Sequence, residues 1–278
     1  MTAEELLRQG DLDGTLSAVQ DSVRKTPEDP RLRVFLFQLL CVLGQWQRAI
    51  GQLKTCVTLD PEANAMAQMY RTAIICEIYR DKVFHGEKQP LIFGEPENWV
   101  AWMIEALKLQ ATGAQNAAEA LRAQAFDAAP AISGTLNGTP FAWVADADPR
   151  LGPMLEVIVN GRYFWAPFSA ISRVVVEPPR DLRDRVWMPA TVTWSNGGDA
   201  VVLIPTRYAG TSDAPDNDLK LARKTDWIGE EDRVSAGLGQ RLLATDETDC
   251  ALMDLRVLSI DGLPAADRPT SAAVSDHG

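Results

Sequence analysis

Glycine and proline recur at a fixed interval in the first half of the chain, and this interval limits the possible folds most strongly. The glycine precedes the proline by 17 residues in three pairs, Gly10 and Pro27, Gly44 and Pro61, and Gly113 and Pro130. The first two pairs are offset by 34 residues and the third begins 69 residues after the second, so one divergent unit fits between them. Glycine ends helices and proline begins them, so each unit is predicted to be a helical hairpin.

A second feature of the repeat is a small residue five positions after each glycine, where two helices can approach closely. This position is occupied by Thr15, Ala49 and Ala118. Apolar residues follow at helical spacing and form core stripes, such as Trp46, Ile50, Leu53 and Val57. Over residues 2–130 the pattern resembles the tetratricopeptide repeat, although Gln45 and Ala114 depart from it. The resemblance implies an α-solenoid.

The composition changes at about residue 131. A loop rich in glycine and proline at 85–96 already interrupts the helices, and beyond residue 131 three hairpin signals follow, Asn137-Gly138, Asn160-Gly161 and Asn196-Gly197-Gly198. The runs predicted as strands are Leu155–Val159, Tyr163–Trp165, Arg173–Glu177, Ala190–Trp194, Ala200–Ile204 and Leu252–Ile260. The chain is therefore predicted to be α+β, with a helical domain at 1–130, a mostly antiparallel β-rich domain at 131–261 and a disordered tail at 262–278.

Charge excludes several classes of partner. The 278 residues carry a formal net charge of −11, which repels nucleic acid backbones and anionic membrane surfaces. The first residues lack the pattern of a signal peptide, and no stretch approaches the length of a membrane span. We therefore predict a cytoplasmic protein that binds neither nucleic acid nor membrane.

Catalytic motifs are absent from the sequence. The chain has only His85 and His277, and it lacks a nucleophile elbow and a phosphate-binding loop. The Gly237-Leu238-Gly239 run has no third glycine for a dinucleotide site, and a turn between strands explains it better. Two groups of acids offer oxygen ligands for a divalent cation, but neither has the spacing of a calcium loop, and acids in solvated loops explain them better. They are Asp146 and Asp148, and Asp213, Asp216 and Asp218. We predict no enzyme activity, no cofactor and no metal.

The second half carries a set of segments in one order that is similar to the ImpE/TagJ family. These segments are 146–156 (DADPRLGPMLE), 161–168 (GRYFWAPF), 178–184 (PPRDLRD), 187–190 (WMPA), 205–210 (PTRYAG) and 237–241 (GLGQR). The resemblance implies an accessory component of the bacterial type VI secretion system. It also implies a link to the small sheath subunit and, through that subunit, to the AAA+ ATPase that dismantles the contracted sheath.

Stacked helical hairpins present a concave surface suited to a partner helix. The helices Arg31–Leu43 and Trp99–Gln110 are predicted to line it, with Gln38 and Trp102 as candidate contacts. Trp102 also stands where the repeat family uses an aromatic for packing.

In the second half, charged residues within the family pattern are either a partner-binding patch or an internal network of ion pairs. They are Arg150, Glu156, Arg183 and Arg207. Tyr163, Trp165 and Phe168 are predicted to be core.

Two other functions remain open from the sequence. One is an enzyme or metal-binding protein whose acids and arginines in the β-rich half form a site. The other is a generic repeat scaffold or chaperone without a link to secretion, for which the helical half alone suffices.

Overall fold

The computed structural model describes residues 1–95, 97–230 and 233–261. The tail predicted to be disordered, residues 262–278, lies outside the described residues. No helix in these ranges is long and apolar enough to cross a membrane.

The first half of the described chain is helical, as predicted. Its helices are α1 (Ala3–Arg8), α2 (Leu12–Lys25), α3 (Pro30–Val42), α4 (Trp46–Leu59), α5 (Asn64–Phe84), α6 (Asn98–Ala111) and α7 (Gln115–Ala128). Gly10, Gly44 and Gly113 have φ angles of 81°, 67° and 83°, which the residue after a helix end adopts and which glycine tolerates best. Thr15, Ala49 and Ala118 are each 0% exposed. The glycine interval thus marks helical hairpins at α1–α2, α3–α4 and α6–α7.

The divergent unit between the second and third pairs is not a helical hairpin, so that prediction is wrong. It contains the single long helix α5, followed by the predicted loop and a short strand, β1 (Leu91–Ile92). Gly86 adopts a φ of 73° just after α5, and Pro90 precedes β1, so a second helix cannot form here. The loop instead leads into β1, which lies at the edge of a sheet.

The second half of the described chain is rich in strands. They are β2 (Gly134–Leu136), β3 (Thr139–Phe141), β4 (Val144–Asp146), β5 (Met154–Val159), β6 (Arg162–Pro167), β7 (Ile171–Val176), β8 (Trp187–Trp194), β9 (Asp199–Pro205), β10 (Thr225–Glu230), β11 (Arg233–Gly239), β12 (Leu242–Thr245), β13 (Asp249–Ala251) and β14 (Val257–Ile260), with a short helix α8 (Asn217–Lys220). Nine strands form one sheet in the order β1-β6-β5-β9-β8-β7-β14-β2-β3. Its strands pair antiparallel except β1, which runs parallel to β6. The α+β prediction is confirmed.

The hairpin signals are confirmed as turns. Asn137 and Gly138 have φ angles of 50° and 90°, and Asn160 and Gly161 have 49° and 74°, as two-residue hairpin turns require. Gly197, in the turn between β8 and β9, has a φ of 85°.

Two details of the strand prediction are wrong. The run Leu252–Ile260 is extended only in β14, because a tight turn precedes it, in which the Leu255 N–H donates to the carbonyl of Ala251. Gly237-Leu238-Gly239 lies within β11 rather than in a turn. A Cβ at Gly237 would come within 2.4 Å of the Tyr208 ring, so close packing requires this glycine.

Helices and strands share a hydrophobic core, and a second core lies within the strand-rich half. Trp187 of β8 packs against Trp46 and Tyr70, with ring centroids 6.1 and 5.9 Å apart, and Trp165 of β6 packs against Phe84 at 6.1 Å. The strand-rich half therefore packs directly against α4 and α5. The division into domains at residue 130 stays a prediction.

Candidate functional site

Eight charged side chains meet between α5 and the strands, and we call them the charge cluster. They are Glu77, Arg80, Asp146, Asp148, Arg150, Glu156, Arg207 and Arg241. Four are acids and four are arginines, so the formal charge of the cluster is balanced. Buried charges persist when they are paired with opposite charges or hydrogen-bonded. Arg241 is held by ion pairs with Asp146 and Glu156, and its guanidinium makes no hydrogen bond to any described residue.

Glu156 of β5 is the centre of the cluster and is 0% exposed. Arg80 of α5 donates to both of its carboxylate oxygens, from Nε at 2.6 Å and from Nη2 at 2.8 Å. Arg241 pairs with the same carboxylate, and the Tyr163 hydroxyl donates to it. The parallel donation from Arg80 fits the planar guanidinium and ties α5 to the sheet.

The side of the cluster nearest the helices extends from Arg80 to α3. Arg80 donates to the carbonyl of Arg207 at 3.0 Å and pairs with Glu77 at 3.4 Å. Glu77 accepts from the Trp187 indole at 3.0 Å. Arg207 donates to the carbonyl of Val42 at 2.8 Å, at the last residue of α3. The guanidinium of Arg207 thus satisfies a carbonyl at a helix end, where no helical partner exists.

The other side of the cluster is formed by three charged residues at the end of β4 and in the turn that follows it. The backbone N–H of Asp148 donates to the Asp146 carboxylate at 2.8 Å, and Arg150 Nη2 donates to the Asp148 carboxylate at 2.6 Å. The N–H of Gly237 donates to Asp148 at 2.9 Å. The turn is held by its own acids, which favours the structural role for them over a metal site.

Asp146 has an unusual protonation equilibrium. Its carboxylate lies 3.1 Å from Arg241 Nε and both side chains are 0% exposed. Burial raises the pKa of Asp146 to about 7, against the lowering effect of Arg241. Within the described residues, no group of three or more histidine, cysteine, aspartate or glutamate side chains is arranged to hold a metal ion.

The structure places the predicted charged residues in two locations. Arg150, Glu156 and Arg207 belong to the charge cluster, whereas Arg183 pairs with Asp181 and lies 4.7 Å from the centre of the Tyr70 ring. Glu156 and Arg207 are 0% and 5% exposed. We therefore correct the expectation of direct partner contact for these two, because they present no surface, and adopt the alternative of an internal network.

The structure also shows the positions of the two candidate contact residues in the helical half. Gln38 is 7% exposed within α3, whose residues 36–42 are all buried, so it too offers no surface to a partner. Trp102 is half-buried and packs against the shared core. Gln38 and, in part, Trp102 are therefore used for packing within the chain. Tyr163, Trp165 and Phe168 are buried core residues, as predicted.

Sequence reasoning missed Glu77, Arg80 and Arg241. Glu77 and Arg80 are three residues apart in α5, a spacing that is typical of an exposed pair on a helix, so no local signal shows that they are buried. Arg241 lies within the segment 237–241 of the family pattern and is followed by the apolar residues Leu242, Leu243 and Ala244. An arginine next to an apolar run was a signal that it is buried.

An accessible apolar groove lies elsewhere on the helical half, between α4 and the first part of α5, and we call it the α4–α5 groove. Its lining is Ile50, Leu53, Lys54, Val57, Asn64, Ala67, Gln68 and Arg71. Apolar side chains form the floor and polar ones the rim. Ile75, one turn beyond Arg71 on the same helix face, is 49% exposed and extends the apolar strip.

Comparisons with known proteins agree with the family pattern in the sequence. A family model described as "ImpE protein" matches residues 138–259. The type VI secretion system accessory component TagJ of Pseudomonas aeruginosa is 52% identical over 261 residues, which cover 94% of this chain and 92% of that protein. The crystal structure of protein VPA1032 from Vibrio parahaemolyticus has the same fold, with a TM-score of 0.85 at 25% identity over 95% of this chain and 99% of that one. Because the identity to TagJ extends over both the helical and the strand-rich halves, this chain belongs to the ImpE/TagJ family.

Proposed function

We propose that this chain is an accessory component of a type VI secretion system and acts in the cytoplasm as a non-catalytic adaptor. Its partner is a helix of the small sheath subunit, through which it is linked to the AAA+ ATPase that dismantles the contracted sheath. Membership of the family that includes TagJ of Pseudomonas aeruginosa supports the secretion role.

The α4–α5 groove is the observation that carries the binding part of the proposal. A groove between two helices accepts an amphipathic helix, whose apolar side chains fill the floor while the rim contacts its polar flanks. The floor residues Ile50 and Val57 are half-buried, so surface remains for an incoming helix to cover. Burial of one leucine-sized side chain contributes about 1.5–3 kcal/mol. Lys54 and Arg71 on the rim favour acidic residues beside those anchors.

The buried charge cluster supports an adaptor rather than an enzyme. The acids and arginines on which the catalytic alternative depended are paired with one another and have little exposed surface. They hold α3 and α5 against the sheet and so give the outer helices a rigid base.

The scaffold alternative requires that the helical half suffice alone. The shared core argues against this, since Trp165 and Trp187 of the strands are each 0% exposed among helical residues. Deletion of residues 131–278 is expected to expose that core and unfold the helices. Point variants of the intact chain are therefore the better test.

The test measures binding of the purified small sheath subunit to the full chain by calorimetry. Ile75→Asp places a charge in the strip that extends the groove, and it should weaken binding about tenfold or more. Met69→Asp is the matched control, because Met69 is 50% exposed on the same helix but faces away from the groove. It should leave binding unchanged.

The ATPase link is tested in the same system. The ATPase should be retained on the immobilised chain only when the small sheath subunit is present. Failure of the folded chain to bind the sheath subunit would overturn the adaptor proposal. Equal binding by both variants would overturn the groove as its location.

A further inference from the structure

A cleft rich in arginine lies where α1 meets the segment between β7 and β8, and we call it the arginine cleft. The cleft is formed by Arg8, Arg180, Arg185 and Arg223 around the half-buried side chains of Leu7 and Leu182. It shares no residue with the α4–α5 groove. Four arginines around an apolar floor are unusual on a chain whose formal net charge is −11.

The positive charge of the cleft is incompletely neutralised. Arg180 lies 3.2 Å from Glu177, but the two side chains are 78% and 77% exposed, so water screens the pair. Arg223 is already partnered, because it pairs with Asp218 at 3.1 Å and donates to the carbonyls of Leu7 and Arg8 at 2.9 and 3.2 Å. Asp181 is the one acid among the described residues that line the cleft, and it is already paired with Arg183.

Arg8 and Arg185 form no ion pair with any described residue. Arg185 is half-buried, and its contacts are long, 3.5 Å to the carbonyl of Leu221 and 3.5 Å to the sulfur of Met253. Burial lowers the pKa of Arg185, and the charge of Arg223 lowers it further. The Arg185 guanidinium therefore lies near the positive charge of Arg223 and has no carboxylate within ion-pair distance among the described residues.

We propose that the arginine cleft binds an acidic segment of a partner protein, with carboxylates on the arginines and an apolar side chain on the half-buried Leu7 and Leu182. Guanidinium groups pair with carboxylates through two parallel hydrogen bonds, which suits recognition of aspartate and glutamate. Net negative charge on the rest of the chain disfavours a long phosphate backbone but leaves room for a short acidic segment. This inference does not depend on the proposed function.

The experiment measures fluorescence anisotropy of a labelled synthetic peptide in which glutamate alternates with leucine, titrated with the full chain. Two further probes are the same peptide with glutamine for glutamate and a single-stranded oligonucleotide. The cleft variant is Arg8→Glu/Arg180→Glu, which changes two exposed side chains. The control variant is Arg24→Glu/Arg173→Glu, which makes the same charge change at exposed positions outside the cleft lining. Circular dichroism and melting confirm that both variants fold.

We expect the glutamate peptide to bind the wild-type chain and the control variant, and to bind the cleft variant about tenfold more weakly. Binding should weaken as salt rises. Equal affinity of the cleft variant, no binding to the wild-type chain, or equal binding of the glutamine peptide would overturn the proposal. Binding of the oligonucleotide in place of the glutamate peptide would also overturn it.

Discussion

The charge cluster and the arginine cleft are built from the same residue type and differ in how their charge is neutralised. In the cluster, Arg80 and Arg241 meet the carboxylate of Glu156 in a site without exposed surface. In the cleft, Arg8 and Arg185 have no carboxylate partner among the described residues, and solvent reaches the site. Burial makes unpaired charge costly, whereas the surface tolerates it. Arginines in the cluster therefore hold the fold, whereas Arg8 and Arg185 in the cleft are not committed to a carboxylate of the described chain.

The largest loss of stability is expected when the carboxylate at the centre of the charge cluster is removed. Glu156→Ala leaves Arg80 and Arg241 buried without their shared carboxylate, and it should lower the free energy of unfolding by about 3–5 kcal/mol. Glu105→Ala is the control, because Glu105 pairs with Lys108 at 3.7 Å on the exposed face of α6. Urea denaturation measures both. A loss below about 1 kcal/mol for Glu156→Ala would show that the cluster does not hold the halves together.

An intermediate effect concerns protonation of Asp146. Because its pKa is raised from 3.8 to about 7 in the folded chain, its protonated form is favoured by folding. The stability linked to that proton is present at acid pH and is lost as pH rises from about 4 through about 7, at no more than about 1.4 kcal/mol per pH unit. Asp146→Asn carries no such proton. The difference in unfolding free energy between the variant and the wild-type chain should therefore shift in favour of the variant over this range.

The measurement is urea denaturation of both proteins at several pH values from acid to neutral. Other titrating groups cancel in the difference, since both proteins contain them. A difference that stays constant with pH would show that Arg241 keeps Asp146 ionised throughout.

The smallest change in unfolding free energy is expected for substitutions in the arginine cleft. Arg8→Glu/Arg180→Glu should change the unfolding free energy by no more than about 0.5 kcal/mol, because these exposed side chains make few internal contacts. The same urea titration detects it. A loss comparable to that of Glu156→Ala would mean that the cleft arginines are structural and not reserved for a partner.

Features that depend on neighbouring residues could be predicted from the sequence, and features that depend on distant residues could not. The turns at Asn137-Gly138 and Asn160-Gly161 were predictable because the positive φ angles belong to those residues themselves. The helix ends at Gly10 and Gly44 were predictable for the same reason. The role of Glu156 was not predictable from the sequence. An acidic residue in a strand gives the same local pattern whether its side chain faces solvent or packs against a helix.

By itself the sequence determined the helical hairpins, the order of helices before strands, the turns and the family. The folded chain alone shows that the strand-rich half packs against α3 and α5, that Arg80 of one half meets Glu156 of the other, and that four arginines line one cleft beside α1. The physical reason is distance along the chain. Helix ends and turns depend on neighbouring residues, whereas the pairing of Arg80 with Glu156 joins residues 76 apart and depends on how whole elements pack.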